Sequence, residues 1–314
     1  MGEPTRILCV DGDAGILDSL GKLLAADGHE FLAALSGAEG ITVLSGTGPV
    51  HAVLAGHPAA SGEGTEFLAE VRRLSPASIR IGLYREANAE APAVDDGIVY
   101  KSLSVPPDGE AVRATVENAL ERFRLVEALR GKGEDVLRSV AQEVELRDPY
   151  TRGHCDRVAD VALKIASALG LPGEAKAALR CGAWLHDCGK IGVPEAVLNH
   201  PGKLSPEQFA VVKRHPRWGA EVARDAGLPD GVVDILLHHH ERFDGDGYPS
   251  RARGKEIPLA ARIVAVADVF DATTADRPYA RGYDREEALR VMAVMRGGAF
   301  DPEVVDALFG VLKG

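Results

Sequence analysis

The sequence predicts an α/β unit built on a parallel sheet, joined by a helix to an all-α bundle. Two patterns carry this reading. Over residues 1 to about 125, short apolar runs of strand type alternate with segments of helical period, which argues for a parallel sheet. From about residue 135 onward the periodicity is helical almost throughout, with no β-alternation of useful length. The chain has 314 residues, 46% of them hydrophobic, enough to bury two ordinary cores. The expected division is 1–125 for the α/β domain, 126–147 for a helical linker and 148–314 for the helical domain.

A net charge of −11 argues against a broad basic face, so no nucleic-acid partner is expected. Anionic small molecules stay open, because bound divalent cations can dominate a local field. The four cysteines, Cys9, Cys155, Cys181 and Cys188, form no CxxC pair and read as thiols in a reducing compartment. The opening MGEPTRILCVDGD lacks an apolar stretch of signal-peptide length. IPLAARIVAVADVF is interrupted by Arg262 and Asp268 and reads as a buried helix, not a span. The expectation is a cytoplasmic protein with no membrane partner.

RILCV (6–10) reads as the first strand and ends in Asp11-Gly12-Asp13. A helical pattern through Ile16, Leu17, Leu20, Leu23 and Leu24 follows and stops at Asp27-Gly28. Further strand-type runs fall at His51–Ala55, Ile79–Leu83 and Ile98–Tyr100. Acidic residues at the carboxyl end of the first strand lie where such sheets bind ligands. RILCVDGDAGILDSLGKLLAADGHE resembles the opening strand, acidic turn and first helix of a response-regulator receiver domain. Carried over by position, that family's main metal-binding Asp falls on Gly12, its phospho-accepting Asp on Gly56, its hydroxyl-bearing residue on Tyr84 and its Lys on Val105. Glycine cannot accept a phosphoryl group and valine cannot neutralise one. The resemblance therefore implies a pseudo-receiver, with no phosphoacceptor, serving for docking or dimerisation.

DGEAVRATVENALERFRLVEALR reads as a helix whose apolar positions Val112, Val116, Ala119, Phe123 and Val126 step by four, three, four and three. That seam is shorter than three heptads. It fits a homodimeric two-helix contact, and a last helix packed on its own sheet explains part of the pattern equally well. Gly131 and Gly133 then weaken the helix at a hinge.

In the second half, Asp148-Pro149 marks a helix start and Gly170 its end. Ser205 to Gln208 has capping-box spacing, and Asp284 with Glu287 and Asp301-Pro302 open two more helices. CGAWLHDCGKIG (181–192) has the look of a short helix, with His186 and Lys190 on one face and Asp187 turned roughly 100° away. A His beside an Asp, with a cation one turn on, can hold a metal next to a phosphate. His154, His186, Asp187, His215, the triplet His238-His239-His240, Asp268 and Asp271 add up to imidazoles and carboxylates suited to one or two divalent transition metals. The set needs no thiolate, which argues against structural zinc. DGDG at 244–247 suggests a calcium loop, but its twelfth position is Lys255 instead of a bidentate Glu.

The segments ELRDPYTRGHCDRV (145–158), HDCGKIGVPEAVLNHPGKL (186–204), HPRWGAEV (215–222), HHERFDGDGYP (239–249) and ADVFDATTADRPY (267–279) resemble, in order, the HD-GYP family. These are bacterial metal-dependent phosphodiesterases of cyclic di-GMP. The fold class is then a receiver-like α/β domain joined by a helix to an HD-superfamily bundle. The resemblance implies that His154, His186, Asp187 and Asp268 hold one metal. Asp187 bridges to a second, completed by His215, His239 and His240; iron or manganese is the implied pair.

Tyr150 stands where some members have a Glu for a third metal, so two are expected. Lys190 is implied to contact the scissile phosphate, with Asp271, Arg277 and Gly247-Tyr248-Pro249 lining the pocket, and His238 to pack. The implied reaction is attack on phosphorus by a metal-activated water, with Asp187 and Lys190 as the catalytic pair and pGpG or GMP as product. Glycines 245 and 247 suggest a loop able to move. Ala280 stands where the family often has a basic residue, which bears on substrate affinity, and Cys188 replaces an aliphatic residue.

Competing readings are a mononuclear HD phosphohydrolase, which leaves His215, His239 and His240 unexplained, and a di-iron oxygenase, which leaves Lys190 unexplained. A non-enzymatic cyclic di-GMP sensor is a further alternative. It would meet a diguanylate cyclase or another adaptor partner through its GYP surface.

Overall fold

The structure is a computed structural model that describes residues 4–57, 63–85, 98–106, 108–146, 153–275 and 281–313. The chain divides into two compact units, residues 1–127 and 128–314. The first unit holds five strands among the described residues. They are β1 (Arg6–Val10), β2 (Glu30–Ala34), β3 (Ala52–His57), β4 (Ile79–Arg85) and β5 (Lys101–Val105). They are parallel throughout and ordered β2-β1-β3-β4-β5, the doubly wound order whose ligand crevice lies at the carboxyl ends of β1 and β3.

Alternation along each strand feeds two cores. Ile7 and Cys9 face one side and Leu8 and Val10 the other, as the two-residue period requires. Helix α1 (Ala14–Ala26) covers the first face with Leu17, Leu20 and Leu24. Helices α2 (Gly37–Gly46) and α3 (Glu63–Leu74) cover the second with Leu44, Leu68 and Val71. The last strand lies at Lys101–Val105, just beyond the apolar run Ile98–Tyr100. Val99 is nevertheless buried in the second core, and the Tyr100 amide donates to the Arg80 carbonyl of β4 at 2.7 Å, so the run leads into the strand. The strand β2 carries no clear alternation, which is why its sequence is silent.

Helix α4 (Gly109–Leu129) settles one alternative. Val112, Val116, Ala119 and Leu120 are buried on the same face of the sheet as Ile7 and Leu54, with Phe123 packed against them. Each fully buried Val or Leu is worth about 1.5–3 kcal/mol, so these positions are committed inside the unit.

At the carboxyl edge, a Cβ placed on Gly56 would lie 2.0 Å from Asp11 Oδ2. Asp11 thus fills the space that a side chain at 56 would need, and the Asp13 amide donates to it at 2.8 Å.

The second unit is helical. After Gly131, which adopts φ 63°, come α5 (Glu134–Glu145), α6 (His154–Ala168) and α7 (Gly173–Leu185), then a 3₁₀ turn at Cys188–Gly192. Helices α8 (Glu195–Leu198), α9 (Pro206–Val212), α10 (His215–Asp225), α11 (Asp230–His238), α12 (Leu259–Thr274), α13 (Arg285–Met295) and α14 (Pro302–Lys313) follow. Helix α5, expected as linker, packs on α6, α7 and the 3₁₀ turn and so belongs to this unit.

Capping boxes form at Ser205/Gln208 and Asp284/Glu287. Asp148-Pro149 lies outside the described residues. The helix before Gly170 runs from His154, and Gly170 ends it at φ 72°. Helix α6 packs on α7, α12 and α14, while α11 packs on α7, α10 and α12. No described helix is long and apolar enough to cross a membrane.

Candidate metal centre

The helix through residues 181–192 breaks where the chemistry begins. Helix α7 ends at Leu185, Asp187 adopts φ −96° and ψ 3°, and the backbone tightens into the 3₁₀ turn. The cause is close packing. A Cβ on Gly189 would lie 2.0 Å from the His215 carbonyl oxygen and 2.5 Å from the Gly219 nitrogen, so only glycine lets this turn run against α10. The expected shared face for His186 and Lys190 is therefore replaced by an i, i+3 relation. Lys190 Nζ meets Asp187 Oδ2 at 2.7 Å. Cys188 is buried and packs as a small hydrophobe.

Five elements deliver ligand-type side chains to one place. His154 opens α6, His186 follows α7, His215 opens α10, His239 and His240 follow α11, and Asp268 comes from α12. Ligand atoms of Asp187, His215, His239 and His240 all lie within 4.8 Å of one another, as do those of His154, His186 and Asp187. Asp187 belongs to both groups. Its Oδ1 is 3.2 Å from His215 Nε2 and its Oδ2 3.5 Å from His186 Nε2, while Asp268 Oδ1 is 3.2 Å from His154 Nε2.

Tautomers follow from the backbone. His186, His215 and His239 each place Nδ1 at 2.8–2.9 Å from the carbonyl three residues earlier, on Ala183, Val212 and Leu236. A carbonyl only accepts, so each Nδ1 carries the proton and each Nε2 presents a bare lone pair inward. His215 Nε2 and His239 Nε2 then face each other at 3.2 Å. His186 Nε2 is buried without a hydrogen-bond partner. Lone pairs so arranged repel unless a cation lies among them. Nitrogen and carboxylate donors without a thiolate fit a divalent first-row transition metal, so the residues present suit the group that the sequence implies.

The electrostatics agree. Burial works against charge on His239 and His240, and neighbouring imidazoles add to it, holding His239 well below the usual range and His240 at about 4. Both are neutral, as ligation requires. Burial would raise Asp187, but the Lys190 ammonium beside it holds its carboxyl well below the usual carboxylate range. Asp268 is likewise held at about 2, against burial, chiefly by His154. His154 differs. Burial opposes its charge, yet hydrogen bonds to Asp268 and Asp271 outweigh that and lift it to about 10. Its Nε2 is the place where a metal would displace a proton.

Support lies behind these groups. Asp271, expected to line the substrate pocket, has its carboxylate engaged elsewhere. It holds His154 Nδ1 at 2.6 Å and accepts from Arg157 Nε at 2.6 Å and Nη2 at 3.1 Å. Glu145 at the end of α5 accepts from the amides of Gly153 (2.9 Å) and Cys155, capping the helix start that carries His154. The sequence reading named neither Arg157 nor Glu145 as a site residue. The signal for Arg157 was its i+3 spacing from His154. Glu145 left none, because its partners are backbone amides across a turn.

Tyr248 stacks on His240, ring centroids 4.9 Å apart and 25° between planes. The loop around it, read as movable, is pinned. Phe243 and Asp244 amides donate to Ala299 and Gly298 carbonyls, and Ser250 donates to Glu241. A Cβ on Gly247 would lie 2.3 Å from the Arg242 nitrogen, so this glycine serves close packing. Asp244 pairs with Arg242, and His238 stands apart from the cluster with Nδ1 3.9 Å from Glu241. Tyr150, Arg277 and Ala280 lie outside the described residues.

Residues 138–304 match the HD domain family, and the chain belongs to it. Over 177 residues it is 44% identical to the cyclic di-GMP phosphodiesterase response regulator RpfG of Xanthomonas campestris pv. campestris, covering 55% of this chain and 47% of that one. It is 33% identical over 190 residues to 3'3'-cGAMP-specific phosphodiesterase 2 of Vibrio cholerae, covering 60% and 36%. The chain thus spans less than half of either relative. A solved response regulator receiver domain protein from Clostridium thermocellum aligns with TM-score 0.34 and 23% identity, covering 38% of this chain and 98% of that one.

Proposed function

We propose that this chain is a phosphodiesterase that opens cyclic di-GMP, giving pGpG, GMP or both, at a binuclear metal centre. The observation that carries the reading is a single carboxylate, Asp187, shared between two clusters of inward-facing donors with Lys190 bonded to it. In this reading His154, His186, Asp187 and Asp268 hold one ion, and Asp187, His215, His239 and His240 the other. Iron or manganese, when bound there, would activate water and draw charge from a phosphate.

The chain's own groups do the rest. Asp271 and Arg157 fix the ring of His154. Lys190 swings little, since it is tied to Asp187, and offers its remaining donors to the equatorial phosphate oxygens. Arg277, which lies outside the described residues, would by its place in the resembled motif add a second positive group. Tyr248 walls the site on the side of His240. Relatives named as phosphodiesterases of cyclic di-GMP and of 3'3'-cGAMP support a cyclic dinucleotide as substrate class.

The test is anaerobic purification, loading with manganese or iron, and chromatography of products from cyclic di-GMP. Appearance of pGpG or GMP is expected. Tight binding without turnover would replace the enzyme with a sensor acting through its GYP surface, and neither binding nor turnover would remove the substrate class.

A further inference from the structure

Lys213 lies between α9 and α10, two residues before His215. Its ammonium sits 5.1 Å from the Phe209 ring centroid and 6.0 Å from that of Tyr248. Tyr248 is the ring stacked on His240, so this cation stands one aromatic ring beyond the cage. The basic groups that line the cage and its loop are matched: Lys190 to Asp187, Arg157 to Asp271, Arg242 to Asp244. Lys213 has no carboxylate partner among the described residues. Lys213 is half-buried as a residue, and the two ring faces give its ammonium less than a counter-ion would. A cation held this way completes its shell with an arriving anion.

The inference rests on the function proposed above. A cyclic dinucleotide carries two phosphodiesters on opposite sides of one macrocycle. When one lies at the cage, the other must lie some distance off, across the wall that the cage presents. We propose that Lys213 holds this second, non-reacting phosphodiester, with Tyr248 between the two anion sites. Lys213 is then a substrate-binding residue that selects for cyclic dinucleotides over simple diesters.

The experiment compares wild type, Lys213→Met and Lys213→Arg, loaded with manganese, on cyclic di-GMP and on bis(p-nitrophenyl) phosphate, which has a single diester. Losing one charge-assisted contact should raise KM for cyclic di-GMP roughly tenfold and leave kcat within about twofold. The arginine variant should keep most of the affinity, since it restores charge over the same rings. Values for the single diester and the metal content should not move. An unchanged KM for cyclic di-GMP in Lys213→Met, or an equal loss on both substrates, overturns the assignment of Lys213 alone. Wild type that cleaves the single diester but not cyclic di-GMP overturns the proposed function and this inference with it.

Discussion

At the carboxyl edge of the N-terminal sheet, Asp11 lies over Gly56 and bonds the amide of Asp13. In the helical unit, Asp187 lies among imidazoles whose Nε2 atoms converge on it. Both are sites where a fold gathers acidic chemistry, but their charge accounts differ. Around Asp11 the resemblance to a receiver domain implies that Gly56, Gly12 and Val105 stand where a phosphoacceptor, a second metal-binding carboxylate and a lysine would be. Around Asp187 the donors outnumber the protons available to them, and lone pairs face one another at 3.2 Å.

The largest expected effect tests the crowded site. Asp187→Ala removes the donor common to both clusters. Bound metal should fall below one ion per chain, and cyclic di-GMP hydrolysis by on the order of a thousandfold or more, read by elemental analysis and initial rates. Next, Asp271→Ala frees His154 and Arg157, and metal affinity should fall roughly 10–100-fold in chelator competition; an unchanged affinity would return Asp271 to the substrate pocket.

The apo protein should also be acid-labile. His240 has a folded-state pKa of about 4 against an ordinary value near ~6.5. Between those values the unfolded chain takes up a proton that the folded one refuses. Stability therefore drops as pH falls from about 6.5 towards 4, measurable as a falling urea midpoint, and His239 acts in the same direction. The smallest effect belongs to the empty crevice. Gly56→Ala presses a methyl on Asp11 and should cost about 1 kcal/mol, while wild type exposed to a small phosphodonor should take up no label.

Much of this contrast was legible in the sequence, because both sites are defined by residue type at fixed position. Gly12, Gly56 and Val105 carry the expectation of a receiver without phosphotransfer chemistry. The imidazoles and acids announced the cage, since neutral histidines and carboxylates in such number have few other uses. What stayed hidden was geometry imposed by packing. Gly189 gives no sign that it must touch the backbone of α10, so the 3₁₀ turn that brings Lys190 onto Asp187 could not be read from a helical pattern. Asp271 looked like a pocket residue because its sequence position does not say that Arg157 and His154 claim its oxygens. The seam on α4 fitted two environments, and burial against the sheet accounts for Val112, Val116, Ala119 and Phe123.

The central claim is that the inward lone pairs of the helical unit share two cations through Asp187. Elemental analysis of anaerobically purified wild-type protein, with Asp187→Ala alongside, tests it most directly. Two divalent transition-metal ions per wild-type chain and fewer than one in the variant are the predicted result. A metal-free wild type that refuses manganese and iron at neutral pH, or a variant that retains both ions, would contradict it.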